Sequence, residues 1–123
     1  MKRAVIGSLV AVLLGASGGA AAQDVAVPKL EGSARLGQFT YTLKCAACHG
    51  DKAQGTDNGP TFLSRIYHPG HHADQSFFRA ARNGVRAHHW RFGDMPPVDG
   101  LTDEQVASIV AYVRAMQRAN GVF

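Results

Sequence analysis

Residues 45–49 read Cys-Ala-Ala-Cys-His, and this CAACH stretch holds both cysteines of the 123-residue chain. Two thiols three positions apart cannot staple distant segments, so this is not the framework of a disulfide-built domain. A dithiol redox pair would sit in a strand–helix–strand surround, and no convincing strand can be read here. A zinc site would add a second Cys or His pair at regular spacing. A local Cys45–Cys48 disulfide remains chemically feasible in an oxidising compartment. The flanking sequence has to decide what the motif is for.

The chain opens MKRAVIGSLVAVLLGASGGAAAQD. Lys2 and Arg3 precede an apolar run from Ala4 to Leu14, and Ala20-Ala21-Ala22 offers a small-residue cleavage site. That order predicts a secretory signal peptide over 1–22, cleaved near Ala22, with export to the periplasm; an uncleaved anchor is the competing reading. No later segment is apolar enough to span a bilayer. About 100 residues then remain, small for a self-sufficient core, so a large apolar cofactor would supply missing core material. Cleavage removes two of the 13 basic side chains and leaves a net charge of +2 against 9 acids. The charge is uneven: Arg65, Arg79, Arg82, Arg86 and Arg91 share their stretch with one acid, Asp74. Such a field favours a partner with an acidic docking face. Nucleic acid is disfavoured by export and by the lack of a basic motif interleaved with aromatics.

Residues 23–32 read as an extended lead-in to a single domain over 33–123. Ser33 is positioned to cap a first helix running to about Cys48, with Leu36, Phe39 or Thr40, and Leu43 as its apolar face. Gly50, Gly55, Gly59-Pro60 and Pro69-Gly70 punctuate a long loop of the kind that wraps a functional group. Asp74 caps a second helix through Phe77, Phe78 and Ala81, stopped by Asn83-Gly84. After an irregular stretch over 85–100, Thr102 and Gln105 form a capping box for the last helix. Val106, Ile109, Val110, Val113 and Met116 make its buried stripe. Arg114 and Arg118 sit near its C-terminus, where cations are favoured. The class is all-α: three main helices and long loops.

In an exported helical chain, C-x-x-C-H is the attachment signature of c-type haem. Cys45 and Cys48 would reach one edge of the porphyrin as thioether anchors, and His49 would turn beneath it as proximal ligand to the iron. A ligand for the other face is sought among the methionines. Met116 lies on the core stripe of the last helix. Met95 sits in GDMPPVDG, where Pro96 and Pro97 stiffen the backbone and hold a thioether at low entropic cost. The alternative for Met95 is a gap-filling loop residue.

CAACH, a Gly-Pro pair about a dozen residues on, Met-Pro before the last helix and an aromatic within it together resemble the class I monohaem cytochrome c family, over about Ser33 to Gln117. The small bacterial periplasmic type is nearer than the mitochondrial one, because the segment from His49 to Met95 is shorter and rich in histidine. The resemblance implies a cytochrome c fold around one covalent haem c, with a first and a last helix crossing through Gly37 and Tyr41 against Ile109 and Tyr112. It also implies a Pro60 carbonyl accepting the N–H of His49, and Phe62 packed beyond it on the ring.

Five further histidines crowd into 22 residues: His68, His71, His72, His88 and His89. One reading is a polar rim on the haem beside Trp90 and Arg91. Another is a second metal site, for which copper(II) binds nitrogen donors best. A third puts a histidine in place of Met95 on the iron, or makes the group a pH-responsive surface. The expected function is electron transfer to and from a redox partner protein, as a monomer or weakly associated subunit and with no catalytic residues. The alternatives are a metal-handling haem protein built on those histidines, or a haem sensor or enzyme with a labile sixth ligand.

Overall fold

The computed structural model describes residues 24–123; the signal peptide expected over 1–22 lies outside the described residues. Four α-helices follow in order: α1 Gly32–Lys44, α2 Ala46–His49, α3 Asp74–Asn83 and α4 Asp103–Ala119, with a 3₁₀ turn at Arg65–Tyr67. The only extended pairings among the described residues are isolated bridges, Thr56 with Gly59 and Val85 with Met95. The fold is all-α with long loops, as the sequence pattern predicts. No helix among the described residues is long and apolar enough to cross a membrane.

The core forms where α1 crosses α4. Gly37 sets that contact. A methyl group there would overlap the Ser108 carbonyl and lie 2.9 Å from the Ile109 nitrogen, so the two backbones touch. Tyr41, one turn on, is fully buried against Tyr112, with ring centroids 4.9 Å apart. Ile109, Val113 and Met116 complete the cluster. Met116 is thus a packing residue.

The face of α1 differs from the one its largest apolar residues suggest. Leu36, Phe39 and Leu43 are 67–70% exposed, whereas Gly37 and Tyr41 are buried. Backbone approach at Gly37 decides the orientation, and the Leu/Phe stripe is turned outward as a result. The helix also ends earlier than expected. Cys45 leaves helical geometry at φ −124°, ψ −33°, and the motif continues as the separate short α2. Ser33 is not the cap: the N-cap of α1 is Glu31, which makes no side-chain capping bond.

The last helix starts as expected. The Thr102 hydroxyl accepts from the Gln105 N–H, and the Gln105 side chain accepts from the Thr102 N–H, a complete capping box. Asp103 and Glu104 occupy its first turn, where the helix dipole favours acids. In α3 the N-cap is Ala73, and Asp74 is the first helical residue, free to serve elsewhere. Gly84 ends that helix at φ 72°, in the left-handed region glycine adopts without penalty. The lead-in is tied down at its far end: Asn120 accepts from Ala26 N–H (3.0 Å) and donates to the Ala26 carbonyl (2.8 Å).

Candidate functional site

α1, the loop after α2, α3, the 85–100 segment and α4 enclose a cavity of about 750 Å³. That is within the range of pockets that bury most of a large organic ligand. Its walls carry Phe62, Phe77, Ala80, Ala81, Val85, Leu101, Val106 and Ile109, and so are largely apolar. Cys45, Cys48, His49, Pro60, Phe62 and Met95, the residues singled out in the sequence, all line this one space. His71, His72, His88 and His89 line it too, while His68 does not.

The motif is held from below by two tyrosines. Tyr41 donates to the Gly50 carbonyl (2.9 Å) and Tyr112 to the Asp51 carbonyl (2.8 Å), so the chain leaving α2 is anchored to both crossing helices. Burial raises the pKa of both phenols, which stay protonated donors through neutral pH. Gly50, at φ 79°, ends α2 directly after His49. Cys45 is half-buried and Cys48 exposed, and no disulfide joins them. Burial, and then the neighbouring Cys48, pushes the Cys45 thiol up to about 11.

His49 is only 8% exposed. Its Nδ1 donates to the Pro60 carbonyl at 2.8 Å, and its ring stacks on Phe62 with centroids 4.2 Å apart and planes 19° from parallel. Burial lowers the His49 pKa, with the Pro60 bond acting against the shift. A neutral imidazole whose Nδ1 keeps the proton offers the lone pair of Nε2 to a metal, and the carbonyl fixes tautomer and ring orientation together.

Met95 owes its place to more than the two prolines that follow it. Val85 and Met95 exchange both backbone hydrogen bonds, each 2.9 Å, which closes residues 86–94 into a loop with a fixed base. Gly84 makes room for this: a Cβ there would run into the Met95 carbonyl and come within 3.1 Å of the Pro97 ring. Asp94 accepts from the Ala87 N–H (2.8 Å), and Trp90 donates to the Tyr67 hydroxyl (3.1 Å), fastening the loop's tip to the segment opposite.

Arg114 escaped the sequence reading. The sequence places it as a cation near the end of the last helix; in the structure it is 6% exposed and reaches inward. Its guanidinium donates to Asp74 (2.8 Å), to the Tyr67 carbonyl (2.7 Å), to Gln117 (2.7 Å) and to the His72 carbonyl. Gln117, fully buried, donates in turn to the carbonyls of Phe62 and Tyr67. These two residues of α4 hold the whole 62–72 loop against the cavity. Cations near helix C-termini are common, and partners about 40 residues away leave no local mark, so no sequence signal distinguished this one.

Paired thiols, a buried imidazole with its outer nitrogen committed to a carbonyl, a thioether and apolar walls make a donor set that fits a covalently attached haem. The family model described as cytochrome c matches residues 34–117. Searches among curated proteins and among solved structures found no match. Because the matched stretch takes in most of both crossing helices and every wall of the cavity, the chain belongs to the cytochrome c family, with the covalent c-type haem and electron-transfer role that this domain implies.

Proposed function

We propose that this is an exported, periplasmic one-electron carrier, with a single haem c held by His49 and Met95 and no substrate turned over at the iron. The observation that carries this reading is the shared cavity: the two thiols, the Pro60-bound imidazole and the bridge-pinned thioether all line it. Haem bound here would supply an iron that exchanges single electrons between its ferric and ferrous states.

The chain's own residues do the rest. Cys45 and Cys48 would tether the ring through thioethers. Pro60 fixes the tautomer of His49 and raises its basicity toward metal. With haem bound, the soft sulfur of Met95 would favour the ferrous state and hold a higher potential than a second histidine would. Phe62, Phe77 and the aliphatic walls keep water away. Arg65, Arg86 and Arg91, all exposed, lie on the basic stretch and favour docking of a redox partner with an acidic face, which makes association sensitive to salt.

The test is Met95→Ala in haem-loaded protein. The expected result is a lower reduction potential, loss of the ferric sulfur-to-iron charge-transfer band, and rapid binding of cyanide or carbon monoxide. An unchanged potential and spectrum would remove Met95 from the iron. Ligand binding by the unaltered protein as fast as by the variant would favour a sensor or enzyme with an open sixth position.

A further inference from the structure

The histidines reach their places on two segments fastened independently of one another. Residues 68–72 form a turn in which the N–H groups of His71 and His72 both donate to the His68 carbonyl (2.8 and 2.9 Å), held from α4 by Arg114. Residues 86–94 form the loop closed by Val85 and Met95. Their meeting brings Nε2 of His71 to 3.3 Å from Nε2 of His89, and it places ligand nitrogens of His71, His72 and His89 within 4.8 Å of one another. Two of the expected five stand apart. His68 accepts from the Gly70 N–H (2.9 Å) and packs against Phe123; His88 packs on the His89 ring, centroids 4.3 Å apart, but its Nδ1 is bound to the Arg86 carbonyl (2.8 Å) and it is not one of the three converging donors.

We propose that His71, His72 and His89 form a binding site for a divalent transition-metal ion, separate from the haem iron. Metal–nitrogen bonds of about 2.0–2.1 Å in a tetrahedron put neighbouring donor atoms about 3.3–3.4 Å apart. The His71–His89 pair is already at that spacing, and the ion replaces the proton the two nitrogens share. His72 is prepared in the way metal-binding histidines usually are. Its Nδ1 donates to the Ile66 carbonyl (2.7 Å), which leaves Nε2 with its lone pair. His71 and His89 are exposed, so the ion has an entry path and a fourth position open to water. The three donors are all imidazole nitrogens, a set that takes copper(II) more tightly than zinc(II). The three histidines line the outer wall of the haem cavity, and the proposal requires that none of them takes the iron.

The experiment is a calorimetric titration of haem-loaded, tag-free protein with copper(II) and with zinc(II), alongside His71→Ala and His89→Ala. The expected result is one ion per chain at micromolar affinity or better, copper tighter than zinc, and a loss of at least about tenfold in each variant. Both variants should keep a covalently bound haem, which separates loss of the metal site from loss of the fold. Two results would overturn the proposal: no saturable binding tighter than millimolar, or binding that neither substitution weakens. Haem bands displaced in both variants, with no metal bound, would make these histidines a polar rim to the haem. A colourless protein that still binds copper through His71 and His89 would sink the haem reading and leave this one standing.

Discussion

Arg114 shows how much one side chain can organise. Its guanidinium is buried while its carboxylate partner Asp74 stays 61% exposed, so the ion pair itself is screened. The larger part of its value lies in the carbonyls of Tyr67 and His72, which have no other donor to replace it as strongly. Arg114→Met keeps the aliphatic bulk and removes the donors; the His72 carbonyl loses this partner and the Tyr67 carbonyl keeps only the longer bond from Gln117, a cost of about 2 kcal/mol. Denaturant unfolding of the haem-loaded protein checks this. The 62–72 loop should loosen with it, visible as faster amide exchange at Tyr67 and His72; an unaltered midpoint would mean the clamp is ornamental. None of this could be read from the chain in advance. An arginine in the last turns of a helix is ordinary, and only the folded geometry tells a buried clamp from a solvated cation.

At the scale of elements, the crossing of α1 and α4 depends on a hydrogen atom at Gly37. Gly37→Ala drives a methyl into the Ser108 carbonyl and forces the helices apart. Overpacking of this kind costs about 3 kcal/mol, and the strain falls on rigid backbone that cannot yield as a side chain would. The checking measurement is the guanidinium midpoint of haem-loaded Gly37→Ala against that of Gln38→Ala, the control next along the helix. Equal midpoints would contradict the close crossing. The same helix shows where pattern reading fails. Periodicity selects the bulkiest apolar residues, Leu36, Phe39 and Leu43, and these face outward. Helix contact follows the smallest residue. The resemblance to a known family placed Gly37 and Tyr41 correctly where hydrophobic spacing did not. α4 was legible from its cap to its stripe because both signals are local. The Val85–Met95 bridge was not, since it joins positions ten residues apart through backbone alone.

For the whole molecule, the buried phenols give a pH dependence with a definite sign. Burial is the first cause of the raised pKa of Tyr41, Tyr67 and Tyr112. A folded-state pKa above the unfolded value of 10.0 means the stabilisation is complete below pH 10 and is lost as the pH climbs beyond it, where the unfolded chain releases protons first. The unfolding midpoint of haem-loaded protein should therefore hold level on the approach to pH 10 and fall above it. Stability that rises with pH beyond 10 would contradict the burial of these tyrosines. The cavity makes the second whole-molecule point. Few residues of so short a chain are left to form a core, and Phe62, Phe77, Val85, Leu101 and Val106 face the space between CAACH and Met95. The cysteine motif was legible because covalent attachment demands particular atoms at a particular spacing, and Met95, singled out by the two prolines after it, lines the same cavity. The clamp that holds the loops around them was not, because many side chains can supply a hydrogen bond.

The most direct test is whether colour stays with the chain when the fold is destroyed. Protein produced with export, unfolded in guanidinium and passed through acid–organic extraction, should keep its haem absorption and a mass raised by one haem, and Cys45→Ser with Cys48→Ser should release it. Haem that extracts freely from the unaltered chain, or a purified product with no haem at all, would contradict the account.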